Sequence, residues 1–297
     1  MRLTALRIFS FAADAAAAPP HYIHSTNPTR SPLRQTTHIS LARAGTWRRF
    51  LLLLLALMVA PLLVSACVFG RDGGVPWYEA RRDPSGLAPD PATTSEAVIQ
   101  VYAARAVAWR GVFAVHTWIV VKSAGAPRFT RYEVVGFGVE QGAPAVRVDR
   151  MGPDNYWFGA RPELVLDRRG PEAEGLIDKI RIAVENYPYP HEYHAWPGPN
   201  SNTFTAYVAR TVPELGLDLP SNAVGKDYLP NGAVFGPAPS GTGYQLSLFG
   251  VVGLLAARDE GIELNLFGLA FGVDFKNLGV KLPGIGRVGT HREVGPA

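Results

Sequence analysis

The sequence predicts an α+β domain, a central antiparallel sheet with helices on one side and a C-terminal β-hairpin, carried behind one N-terminal apolar segment. Three features predict it. From Gly111 to Lys122 the residues alternate, with Val112, Ala114, His116, Trp118 and Val120 on one face and Phe113, Val115, Thr117, Ile119 and Val121 on the other, which is the period of a strand. Two later stretches repeat apolar residues at helical spacing. The run Phe50 to Gly70 carries no charge over the ~20 residues a helix needs to cross a bilayer core.

Composition narrows the class. A chain of 297 residues with 47% hydrophobic content has enough apolar surface for a packed core. The net charge of +4 is small and the arginines are dispersed, so there is no nucleic-acid footprint and no nucleic acid is expected as partner. Cys67 is the single cysteine, which excludes an intrachain disulfide, a multi-cysteine zinc site and a cysteine nucleophile in the folded part.

Residues 1–49 read as a disordered tail, alanine-rich and then scattered in Ser, Thr and Arg without sustained periodicity. Residues 50–70 read as a transmembrane helix or signal segment. Arg30, Arg34, Arg43, Arg48 and Arg49 precede it and only Arg71 closely follows, so the excess of basic residues puts the N-terminus in the cytoplasm and the rest outside it. The expected location is a bacterial inner membrane, single-pass. The competing reading is a lipoprotein signal, in which Leu63-Val64-Ser65-Ala66-Cys67 is the processing site and Cys67 is lipidated. Residues 71–94, rich in Pro, Gly and charge, read as a linker, and residues 95–297 as the exported domain.

Within that domain, Ala97 to Ala106 is β-prone, and the strand 111–122 is apolar on both faces, as expected of a central strand covered on two sides. A short turn-like connection leads to a second strand, Arg128 to Val139, in an antiparallel hairpin that could bring Glu133 to His116. Pro171 to Tyr187 reads as a helix with Leu176, Ile180, Ala183 and Val184 on its inner stripe. A second runs from Asn202 to Leu215, with Phe204 and Val208 inward and Pro213 disrupting its last turn. Tyr244 to Ala257 and Ile262 to Phe275 flank Arg258-Asp259-Glu260-Gly261 and read as one long hairpin.

The candidate chemistry centres on Trp196-Pro197-Gly198-Pro199-Asn200-Ser201-Asn202-Thr203-Phe204, where small polar residues open a helix whose first N–H groups attract negative charge. The order His116, Glu133, then Ser201 resembles the circularly permuted papain-like folds of lecithin retinol acyltransferase-like enzymes and NlpC-type peptidases, with Ser at the nucleophilic Cys position. The phrases Phe113-Ala114-Val115-His116-Thr117-Trp118, Arg131-Tyr132-Glu133-Val134-Val135-Gly136, Pro197 to Phe204 and Gly225-Lys226-Asp227-Tyr228 more closely resemble an uncharacterised bacterial envelope family, over about residues 95 to 285. The papain-like resemblance implies a hydrolase or acyltransferase on cell-wall peptide or lipid, with Ser201 as nucleophile, His116 as base and Glu133 holding the imidazole. Asn200, Asn202, Trp196, Lys226 and Asp227 would then bind substrate or support the cleft. A serine gains less than a cysteine from a helix start, and helix capping is the competing role for Ser201.

His191-Glu192 with His194 lacks the helical spacing of a zinc protease, and Gly236 to Thr242 lacks the lysine of a phosphate loop. No metal and no cofactor is implied. The expected partners are the membrane and cell-wall peptide or lipid, and a non-catalytic binding or structural envelope protein is the alternative function.

Overall fold

The computed structural model describes residues 39–70, 75–290 and 294. Helix α1 spans Ile39–Phe69, and its stretch Gly45–Phe69 is long and apolar enough to cross a membrane or to serve as a signal sequence. The helix starts well before Phe50, within the stretch expected as tail, because residues 39–49 contain no proline and include Leu41, Ala42, Arg43, Ala44, Arg48 and Arg49, all good helix formers. Residues 1–38 of that expected tail and residues 71–74 of the expected linker lie outside the described residues.

Two antiparallel sheets build the rest of the unit that runs from Trp47 to Ala297. The first has five strands, β1 (Val98–Arg105), β2 (Val115–Lys122), β3 (Thr130–Val134), β4 (Val146–Val148) and β5 (Glu163–Arg169), in the order β4-β3-β2-β1-β5. Every residue of β2 is buried, as its two apolar faces require of an inner strand. Odd-numbered residues such as Ile99, Val101, Ile119 and Val121 pack under the helices α2 (Gly170–Glu185) and α3 (Ser201–Thr211). Even-numbered ones, among them Tyr102, Trp118 and Val120, pack on the other face against Phe129, Trp157, Leu87 and Ala88. Each fully buried side chain of this size contributes about 1.5–3 kcal/mol.

The strand expected over 111–122 is shorter because Ala108–Val112 winds into a 3₁₀ turn. The stretch expected as linker packs instead on the helix-free face: Asp154 accepts hydrogen bonds from the backbone of Leu87 (2.6 Å) and Ala88 (3.2 Å) and from the Ser85 hydroxyl (2.9 Å). Proline and glycine there shape an ordered strap, for which the chain had no apolar period to report.

The second sheet replaces the expected hairpin. Strands β6 (Phe235–Pro237), β7 (Gly243–Leu248), β8 (Val252–Ala257), β9 (Gly261–Leu266), β10 (Leu269–Asp274), β11 (Gly279–Leu282) and β12 (Gly286–Gly289) follow one another in chain order. Each run expected as a single long strand folds back midway. Phe249 and Gly250 (φ 52° and 73°) and Phe267 and Gly268 (φ 58° and 84°) take left-handed conformations, and the second pair forms the two-residue turn that matches sheet twist.

Alternation in this sheet is inverted. Gln245, Ser247, Glu263, Asn265 and Lys281 point inward and are buried, while Tyr244, Leu246, Leu254, Ile262 and Val280 point outward and are exposed. The inward polar row meets charged groups of the first layer. Glu263 accepts from Lys226 and from Lys281, each at 2.6 Å, and Asn265 donates to Asp227 at 2.9 Å.

Asn200 closes the start of α3. Its side-chain oxygen accepts from Asn202 N (2.9 Å) and Thr203 N (3.1 Å), and Thr203 Oγ1 accepts from Asn200 N at 3.2 Å, a capping box of the kind that contributes about 1 kcal/mol. Gly225 makes room for it: its φ is +100°, and a Cβ there would lie 2.3–2.7 Å from the Asn200 amide. Gly225→Ala is therefore expected to destabilise the protein by roughly 2–4 kcal/mol, combining left-handed strain with overpacking. Urea unfolding measures it, and a midpoint equal to that of the parent protein would show that the cap tolerates displacement.

Candidate functional site

A cavity of about 660 Å³ opens where the first sheet, the start of α3 and the β9–β10 turn meet, a size typical of small-molecule pockets. Its wall is mainly apolar, from Val115, Val134, Val135, Phe113, Tyr193 and Leu269, and among the described residues Arg110 is the one side chain of fixed charge that lines it. Trp109, Phe137, Trp196 and Phe267 line it while remaining half or more exposed, so its mouth is a ring of aromatic groups.

His116 and Ser201 both line this cavity, yet from opposite faces of β2. Thr117 points to α3, its hydroxyl 2.9 Å from Asn202 Oδ1 and 2.9 Å from Thr205 Oγ1. The neighbouring His116 therefore points to the helix-free face. There Nε2 lies 3.0 Å from Glu133 Oε2, and the ring stacks on Trp157 with centroids 3.7 Å apart.

Glu133 also accepts from Arg131 Nη2 at 2.7 Å, and the Arg131 guanidinium lies 4.1 Å above the Trp118 ring. Burial lowers the His116 pKa, the bond and charge of Glu133 raise it, and the Arg131 charge lowers it again; the net direction is down. Burial alone would raise Glu133, but its bond to His116 and the charge of Arg131 outweigh this and hold it below the usual carboxylate range. A neutral imidazole must carry its proton on Nε2 to bond that carboxylate, which leaves Nδ1 as the acceptor.

The expected trio is thus joined only in part. His116 and Glu133 pair, but among the described residues no hydrogen bond links the Ser201 hydroxyl to the imidazole or to any other group. Ser201 is not the cap either: Asn200 takes that position and Ser201 is the first residue of α3. Because Asn200 occupies the Asn202 and Thr203 amides, the helix start has fewer free donors for an anion than its sequence suggests.

Asn200 and Asn202 line the cavity, but their side chains brace the neighbouring loops. Asn200 Nδ2 donates to the carbonyls of Ala195 (3.1 Å) and Val224 (3.0 Å), and Asn202 Nδ2 to those of Val115 (2.9 Å) and Val224 (2.8 Å). Trp196 stands on the rim, its Nε1 donating to Phe267 O at 3.0 Å. Lys226 and Asp227, expected to bind substrate or support the cleft, lie outside the cavity wall and are buried, 3.3 Å apart, in the contact with the second sheet. Cys67 is exposed on α1.

Sequence reasoning missed Arg131, Trp157, and the rim residues Trp109, Phe137 and Phe267. Arg131 was legible, since it sits two residues before Glu133 on the same strand face. These three rim residues come from separate segments, the 3₁₀ turn Ala108–Val112, the loop after β3 and the β9–β10 turn, and carry no common spacing.

Fold and site together define a mixed α+β domain enclosing an apolar pocket, with a buried His–Glu–Arg group beside it. Residues 96–228 match the model of a family described as a protein of unknown function (DUF3750). All four phrases that resembled an uncharacterised family lie inside that range. The match ends at Tyr228, before the second sheet, where the resemblance had been expected to continue to about residue 285. No curated protein and no solved structure matches the chain.

Proposed function

We propose that this is a membrane-tethered bacterial envelope protein that binds the apolar part of an amphiphile, a lipid rather than a bare peptide. One observation carries the reading: the cavity is walled by aliphatic and aromatic side chains, with Arg110 as its charged group. An acyl chain gains from leaving water for such a wall, and an anionic head group would meet Arg110. The C-terminal domain lies outside the cytoplasm, tethered by α1 where that helix spans the inner membrane, or by a lipid on Cys67 where processing before that residue removes the preceding part of the helix.

A second reading, a hydrolase or acyltransferase of permuted papain-like type, is favoured by one observation. The unbonded Ser201 hydroxyl and the neutral His116 border the same cavity. The Ser201 hydroxyl and the imidazole lack the hydrogen bond that activation requires, so binding without turnover is the reading the geometry supports better.

The full chain in detergent is expected to bind a dansyl-labelled fatty acid with a blue-shifted emission, and Ala114→Trp, which fills the pocket, is expected to weaken that binding at least tenfold. Equal binding by a folded Ala114→Trp would refute the pocket as the site. A serine-reactive fluorophosphonate probe addresses the second reading: labelling that disappears in Ser201→Ala would establish chemistry there.

A further inference from the structure

The outward face of the second sheet is continuously apolar across its strands. One cross-strand row runs Phe235–Leu246–Leu254–Leu264–Phe271 and the next Tyr244–Ala256–Ile262–Val273–Val280–Val288. No charged residue interrupts either row. An antiparallel sheet that meets water on one face carries polar residues there, and an apolar face of this extent marks a surface that something covers.

The two ends of the sheet differ. Its β8–β9 and β10–β11 turns carry Arg258, Asp259, Glu260 and Lys276 beside the exposed Phe275 and Leu278, whereas the β7–β8 and β9–β10 turns present Phe249 and Phe267, both exposed, and no charged residue. The β11–β12 turn lies at this aromatic end and touches α1: a Cβ on Gly284 would come within 2.9 Å of Leu62 and 3.3 Å of Ser65. Arg105 ties the same turn to the helix. It donates to the carbonyls of Gly284 and Ile285 and stacks over Phe69 at 3.6 Å, while the Ser65 hydroxyl donates to Val112 O at 2.6 Å. Leu62, Ser65 and Phe69 belong to the apolar stretch of α1 itself, so the aromatic end of the sheet sits at the level where that stretch ends.

We infer that the outward face of the second sheet beds on the acyl region of the bilayer that holds α1. The inference rests on the tethered reading above. It accounts for the inverted alternation, for aromatic groups at the helix-proximal turns, where an interface favours them, and for charge confined to the distal turns. Phe267 belongs to both the sheet's aromatic end and the cavity mouth, so a lipid in the outer leaflet would lie beside the pocket entrance.

The test uses the full chain in vesicles of phosphatidylethanolamine and phosphatidylglycerol, in a Cys67→Ser background. Single cysteines at Leu254 or Val273 on the sheet face, Leu55 on α1 and Lys179 on α2 are labelled with the fluorophore NBD. Lipids carrying a doxyl quencher on the acyl chain are then added. Probes at Leu254 and Val273 are expected to emit in the blue and lose several-fold of their intensity, whereas the Lys179 probe stays bright. Quenching at Leu55 alone would overturn the inference and leave the tether standing. Quenching at neither would overturn both, and quenching on the sheet without Leu55 would retain the inference and remove α1 as the span. Blue emission that resists the quencher would overturn it in favour of a protein, such as a second copy, covering the face.

Discussion

Replacing Glu263 by glutamine is expected to cost about 3–5 kcal/mol of stability, the range for breaking a buried ion pair by removing one partner. Glu263 is 2% exposed and holds Lys226 on one oxygen and Lys281 on the other, both at 2.6 Å. A neutral amide leaves two buried ammonium groups sharing Asp227 and Asp218, each 3.3 Å away. The effect should be visible in where the protein opens first. Hydrogen exchange in β9–β11 should quicken before that in β1 and β2, because the lost group pins the second sheet to the first layer.

The pH dependence follows with a definite sign. Burial pushes Glu263 up, but the two lysine charges outweigh it and hold its pKa below the ordinary carboxylate value. Such a group contributes stability that is fully present above the unfolded-state pKa and is lost as pH falls through the folded one. The parent protein should therefore lose stability on acidification below the usual carboxylate range more steeply than Glu263→Gln does. Urea titrations across that range measure it; parallel curves would show that Glu263 is not the group responsible.

The second large effect is expected at Glu133. Glu133→Gln leaves Arg131, 1% exposed, with the Gly152 carbonyl at 3.0 Å, the Trp118 and Trp157 rings and the charge of Asp154 but no carboxylate in direct contact, again at a cost of about 3–5 kcal/mol. Replacing both members, Arg131→Met with Glu133→Leu, should recover much of this, since an apolar pair of similar volume avoids the buried unpaired charge. His116 reports the same change. Because Glu133 raises its pKa against the larger effect of burial, the glutamine variant should keep the imidazole neutral to still lower pH. In the parent protein the lowered His116 pKa means stability is full above the unfolded value of about 6.5 and declines as pH falls below it. An NMR titration of His116 that moves upward in Glu133→Gln would reverse this electrostatic assignment.

Much of the first layer was legible in the chain. The doubly apolar β2, the paired β3, and the two amphipathic helices follow from period and from the residues that stop each element, Pro213 among them. The pairing of His116 with Glu133 was reachable too, since both lie on neighbouring strands of a short hairpin. The capping of α3 was only half legible: Asn200, Ser201 and Asn202 are all suitable caps, and the choice fell to Asn200 because Gly225 approaches it closely from a distant loop.

By itself the sequence determined the alternation of each strand, and hence that His116 and Thr117 face opposite ways and that Tyr244 and Gln245 do. Alternation says nothing of which side is covered. Tertiary structure decided that α3 packs on the Thr117 side, which parts Ser201 from the imidazole. It also decided that the second sheet turns its polar row inward, because Lys226, Asp227 and Asp218 supply buried counter-charges there that no local pattern in residues 243–289 announces.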